Sequence, residues 1–156
     1  MTYSPTMIAN NILSRTFAEK NYITPMKLQK ILYFVASEYQ KMTGKPLLEE
    51  PFSTWAYGPV LYSVYNEFRS FSRKDIKRYA RDAEGNTLVI SEDEDIRLKM
   101  AIDLVWNKTK NKTAVQLSEI THIEDSAWDK AYQQDFPTLQ PEDILSDKTY
   151  REALSF

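Results

Sequence analysis

His122 is the single histidine of a chain that has no cysteine, and that scarcity decides most of the chemistry open to it. A cysteine nucleophile and a disulfide are excluded, and a metal site built on histidine and cysteine would have one ligand at most. A serine triad would have to recruit His122, and no serine stands in a GxSxG elbow. Three glycines, none of them clustered, provide no loop to cradle phosphate. Carboxylates remain for acid–base work at Glu49-Glu50, Glu92 to Asp95 and Glu124-Asp125. Acidic runs beside helix starts complement the helix dipole at the surface, and these are read that way. The sequence is therefore expected to be non-enzymatic, with no catalytic residue, cofactor or metal.

Binding chemistry is better represented. Trp55-Ala56-Tyr57-Gly58-Pro59-Val60 places two large aromatics on a tight turn that feeds a helix. That helix projects Tyr62 and Asn66 from a face other than the one holding Val64 and Phe68. Tyr and Trp join apolar area to a polar tip, which suits them to protein interfaces and also to cores where the tip finds a partner. Trp55 is read as mainly core, while Tyr57 and Tyr62 stay open between core and exposed patch. Ten tyrosines in 156 residues exceed what a core of this size needs.

Lys27 and Lys30, with Gln29 beside them, are the polar members of an otherwise apolar helix. They suit a solvated stripe at its open end, or charge-assisted bonds to a partner or to the acidic half of the chain. His122, within Thr121-His122-Ile123-Glu124-Asp125, is read as a tie to a neighbouring backbone carbonyl that orients the Trp128 segment. Direct partner contact is the alternative.

The elements that must position these groups are mostly helices. The first begins near Ser4-Pro5, carries Ile8, Ile12 and Phe17, and ends before Asn21. Thr24 and Pro25 then open a second, a hydroxyl cap followed by a proline suited to the first turn. It runs to about Thr43, where Gly44 and Pro46 stop it. Leu28, Ile31, Leu32, Val35, Tyr39 and Met42 form one stripe, and Met26, Tyr33, Phe34 and Ala36 fill much of the rest. A helix so apolar in a globular chain is the central, buried one. The third helix starts at Pro59, with Val60, Leu61, Val64, Tyr65, Phe68 and Phe71 at helical spacing.

Beyond it, Ile76 to Ala80 and Thr87 to Ile90 flank a polar turn, Asp82 to Asn86, and predict a hairpin. Ser91 with Glu94 predicts a capping box opening a helix through Ile96, Met100, Leu104 and Val105. Thr113 with Gln116 predicts a second, with Ala114, Leu117 and Ile120 inward. Ser126-Ala127-Trp128 begins a short helix or turn, Phe136-Pro137 to Pro141 reads as a loop, and Ile144 to Phe156 as a frayed or partner-docked tail. The expected architecture is one domain over residues 1–156, mainly α (α+β), with about five to six helices, one small β-hairpin and a C-terminal tail over about 137–156.

Three blocks also carry a family resemblance. Met26-Lys27-Leu28-Gln29-Lys30-Ile31-Leu32-Tyr33, then Trp55-x-Tyr57-Gly58-Pro59-Val60, then Leu117-Ser118 with Thr121-His122 and Trp128, resemble the signature of the Panacea domain, the family of SocA-like antitoxins and phage-associated proteins. The likeness spans about residues 7–128. It implies a protein that works by binding another protein, an antitoxin neutralising a toxin encoded by an adjacent gene. It also allows a SocA-like adaptor that delivers the toxin to a ClpXP-type protease, or a phage or prophage protein acting on a host target. The candidate partner-binding residues are Tyr57, Gly58, Pro59, Tyr62, Asn66, Lys27, Lys30 and His122. Leu28, Leu32, Trp55 and Trp128 are the structural candidates.

Bulk properties fit a globular chain of this kind. Hydrophobic residues make up 42% and charged residues 27%, ordinary proportions. No apolar run is long enough to span a bilayer, the N-terminus lacks the layout of a signal peptide, and the absence of cysteine makes the cytoplasm the default address. The formal net charge of −2 hides an imbalance of +6 through Arg81 and −8 from Asp82 onward. Six basic residues between Arg69 and Arg81, with Phe71 and Tyr79 among them, would be the nucleic-acid surface if there were one. The acidic pI of about 5.5 and the lack of a helix-turn-helix pattern argue against DNA as the partner.

Overall fold

The computed structural model describes residues 2–156, and helix α2 (Pro25–Thr43) organises it. Thr24 Oγ1 accepts a hydrogen bond from Lys27 N at 3.3 Å to start this helix, and Gly44, in the left-handed region at φ 73°, ends it. Every residue from Lys27 to Gln40 is buried. Helices α1 (Pro5–Glu19), α3 (Tyr62–Phe68), α4 (Ile96–Thr109), α5 (Ala114–Thr121) and α7 (Pro141–Ser146) all pack on it. Two short helices, α6 (Ala127–Gln133) and α8 (Thr149–Ala153), complete the shell. The architecture is mainly helical with one two-stranded antiparallel sheet, as the sequence predicts. No helix among the described residues is long and apolar enough to cross a membrane.

The hairpin lies elsewhere than predicted. Strands β1 (Ser53–Trp55) and β2 (Gly58–Val60) pair in the register Ser53 to Val60, Thr54 to Pro59 and Trp55 to Gly58. The other edge of β1 is taken by the chain beyond α6, through Thr54 N to Pro137 O and Leu139 N to Phe52 O, each 2.9 Å. Residues 76–90 form no strand. Their polar turn is present, with Asp82 N donating to Asn86 O at 2.9 Å, but the flanks pair with α1. Asn10 Nδ2 donates to Ala80 O and Leu88 O at 3.0 and 2.9 Å, and its Oδ1 accepts from Ala80 N at 2.7 Å. Asn11 holds Ile90 in the same two-way fashion, at 2.9 and 2.8 Å. Two buried side-chain amides thus satisfy backbone groups that would otherwise need a neighbouring strand.

Two further expectations change. The cap of α4 is Asp95, which accepts from Leu98 N at 3.2 Å, while Ser91 to Glu94 closes a separate turn. Tyr3 and Tyr39 both donate to Asp95 Oδ2, at 2.7 and 2.8 Å. Fixed there, the helix turns Leu98, Ala101, Ile102, Val105 and Trp106 inward and leaves Ile96 and Met100 exposed. The segment after Ile144 is docked, not frayed, and it raises the helix count above the five or six expected. Tyr150 is 1% exposed, and its hydroxyl donates to Ser37 Oγ at 2.9 Å and to the Glu38 carboxylate. Tyr33 donates to Asp147 Oδ2 at 2.6 Å. Polar groups on α2 therefore hold α7 and α8 within the fold.

Candidate functional site

The β1–β2 turn is gripped from below by side chains of three other elements. Trp128 Nε1, on α6, donates to Trp55 O at 2.7 Å. His122 Nε2, at the end of α5, lies 2.9 Å from Ala56 O. Lys30 Nζ, on α2, donates to Tyr57 O at 2.5 Å, and Ser118 Oγ reaches the same oxygen at 3.2 Å. Three successive carbonyls, those of Trp55, Ala56 and Tyr57, each have a side-chain nitrogen within hydrogen-bond distance.

Gly58 makes this grip possible. Its φ of +118° is one that residues with a Cβ rarely adopt, and it stands directly after the two turn residues, Ala56 and Tyr57. A Cβ there would stand 2.6 Å from Lys30 Nζ and 3.0 Å from Thr121 Oγ1. The exit from β2 is equally fixed. Gln29 exchanges two hydrogen bonds with Leu61, accepting from its N at 2.9 Å and donating to its O at 3.1 Å.

The electrostatics of the grip are unusual for its burial. Lys30 is 1% exposed, and desolvation lowers its amine to about 8. No carboxylate among the described residues forms an ion pair with it, so the carbonyl dipole of Tyr57 is its principal polar partner. His122 has each ring nitrogen on a carbonyl oxygen, Nδ1 at 2.6 Å from Ser118 O and Nε2 on Ala56 O. A ring nitrogen meets a carbonyl as a donor, so the imidazolium makes both bonds and the neutral ring one.

Above the grip lies an aromatic surface. Tyr57 is 72% exposed and Tyr62 55%. Tyr65, also exposed, meets Trp55 edge-on at 5.0 Å and lies 6.2 Å from Tyr62. Under the turn, His122 packs on Trp128 at 4.1 Å, and Trp128 stacks on the exposed Tyr132 at 4.6 Å.

The predicted site residues therefore separate into layers. Tyr57, Tyr62 and Asn66 are on the surface, while Gly58, Pro59 and Lys30 are buried and His122 is half-buried beneath the turn. Lys27 lies apart. Its Nζ donates to Lys110 O and Lys112 O at 3.0 and 2.6 Å, closing the end of α4, and burial lowers its amine while Asp75 partly offsets that. Neither lysine is on a solvated stripe. Leu28 and Leu32 are fully buried, Trp128 nearly so, and Trp55 only half-buried. Tyr65 belongs to the aromatic set that the sequence offers as core or interface, Ser118 enters only through the block of the family resemblance, and Tyr132 has no signal in the sequence. The spacing of Ser118 and His122, one helical turn apart, is the signal that both face one target.

The family described as "Antitoxin SocA-like, Panacea domain" matches residues 28–129. A curated relative, Antitoxin SocA of Caulobacter vibrioides (strain NA1000 / CB15N), is 29% identical over 125 residues, covering 78% of this chain and 66% of the relative. The chain thus spans just under two thirds of that relative's length. No solved structure matches the chain. Every residue of the grip, from Lys30 through the hairpin to Trp128, falls inside the matched region, and the chain belongs to the antitoxin SocA-like, Panacea domain family.

Proposed function

We propose that this protein is a non-enzymatic, cytoplasmic antitoxin that neutralises a partner toxin by direct, stoichiometric binding, with Tyr57 as the anchor. The observation that carries this reading is the contrast at Tyr57: a side chain 72% exposed on a turn whose carbonyls are held by the buried Lys30 and Trp128 and approached by the half-buried His122. A large apolar group carried on a backbone already fixed before binding loses only side-chain freedom on docking, so more of its burial appears as affinity. Tyr and Trp anchors of that kind dominate many protein interfaces. Tyr62 and Asn66 extend the contact surface along α3. Gly58, Pro59, Lys30 and His122 act by positioning the turn, and Lys27 acts at one remove by fixing the α4–α5 junction.

Family membership and the name of the curated relative support a toxin as the partner. The test uses the native locus. The product of the adjacent reading frame is expressed with and without this chain, scoring growth and co-purification. Toxicity relieved only in its presence, with a recovered complex, is the expected result. A harmless neighbour that does not co-purify would sink the reading.

A further inference from the structure

The outward face of α3 changes character along its length. Tyr62 and Tyr65 are exposed at its start, and Arg69, one turn further on, is exposed where the helix tightens into a 3-10 turn, Arg69–Phe71. Arg73, Lys74 and Arg81 follow, all exposed. None of these four cations forms an ion pair among the described residues. The carboxylate nearest in sequence on α3, Glu67, is engaged elsewhere: it accepts from Arg78 Nη1 at 2.9 Å and from Arg81 N at 3.0 Å. Lys77 sits 3.4 Å from the centre of the Tyr22 ring. The segment thus runs from aromatic to mainly positive, with Glu67 engaged by Arg78 and Arg81 and Asp75 the one exposed carboxylate among its cations.

We propose that this face docks an acidic, partly apolar segment of a protein partner, its apolar side chains on Tyr62 and Tyr65 and its carboxylates on Arg69, Arg73 and Lys74. The proposal rests on the antitoxin reading, and assigns the segment to the toxin. Charge complementarity argues for it, because unpaired arginines offer bidentate donors to carboxylates. A nucleic acid is less well served. The basic run is broken by the exposed carboxylate of Asp75, and the net charge of −2 opposes a long polyanion more than a short acidic segment.

The test measures fluorescence anisotropy of a labelled amphipathic peptide of Glu, Leu and Tyr. Its controls are the same peptide with Lys for Glu and a labelled DNA duplex. The acidic peptide is expected to bind, more weakly as salt shortens the Debye length below about 8 Å. Arg69→Glu/Arg73→Glu/Lys74→Glu should weaken binding at least about tenfold, its neutral counterpart with Gln at the same positions less so, and Tyr62→Ala should weaken it as well. No binding of the acidic peptide, equal binding of the Lys peptide, tighter binding of the duplex, or indifference to charge reversal would each overturn the proposal. A toxin neutralised equally well by the charge-reversed protein would remove this surface and leave the antitoxin reading standing. Acidic-peptide binding by a protein that protects no cell would do the opposite.

Discussion

Lys30 and Tyr57 are joined across 2.5 Å, from a side-chain ammonium inside α2 to a backbone carbonyl on the hairpin turn. The bond links one of the most buried charged groups of the chain to its most exposed large aromatic. The turn is thereby a projection of the core, and disturbing it from below should alter what is displayed above.

Gly58→Ala tests that link sterically. The added methyl group would need a φ of +118° and would press on Lys30 Nζ at 2.6 Å. Backbone strain alone costs roughly 1–3 kcal/mol, and the lysine must move as well. Urea denaturation should report a loss of that order, with partner affinity falling in the same variant. An unchanged unfolding midpoint would mean that the turn is not held as described.

Lys30 should also leave a mark on the pH dependence of stability. Its amine is lowered to about 8 in the folded protein by desolvation and returns to about 10.4 in the unfolded chain. Between those values the unfolded state binds a proton that the folded state lacks, so stability from this group rises with pH; below about 8 the burial penalty is fully present. Comparison with Lys30→Met isolates the effect. The wild type should gain about 2 kcal/mol relative to the variant between about pH 7.5 and 9.5. A difference that stays flat across that window would contradict the assigned burial.

Asn10→Ala should release the 80–90 segment. It removes three hydrogen bonds to that backbone and leaves buried amide groups unpartnered, at about 1–3 kcal/mol. Limited proteolysis should then cut near Asp82–Asn86 faster than in the wild type, while far-UV circular dichroism keeps its helical signal.

Leu32→Ala and Tyr57→Ala should behave as opposites. Leu32 is fully buried on α2, and its truncation is expected to cost about 2–5 kcal/mol. Tyr57 contributes an exposed ring, and its removal should change stability by no more than about 0.5 kcal/mol.

Much of this arrangement is written in local patterns. The Thr24 cap, the reciprocal Thr113–Gln116 capping box and the apolar α2 all form where helix rules place them. The misplaced hairpin has a non-local cause. Residues 76–90 carry the apolar flanks and polar turn of a hairpin, but Asn10 and Asn11 reach them from some 70 residues away, and an asparagine on a helix announces no such partner. The true strands are three residues each, and Pro59, which lacks a donor, weakens their signal. Likewise, the Ser91–Glu94 pattern competes with Asp95, and only the hydroxyls of Tyr3 and Tyr39 on its carboxylate select the cap. At the site, the sequence brings the right blocks together but not their depth. Lys30 reads as a surface cation until the turn of Tyr57 is laid over it.

The most direct test of the central claim is the affinity of the purified product of the adjacent reading frame, the proposed toxin, for this protein and for Tyr57→Ala, measured by titration calorimetry alongside the unfolding midpoint of each. The account expects a stoichiometric complex with the wild type and a loss of at least about 2 kcal/mol in the variant, the scale of an interface anchor, with the midpoint unmoved. Equal affinity in a folded Tyr57→Ala would show that the gripped turn does not hold the anchor, and the binding face would have to lie elsewhere.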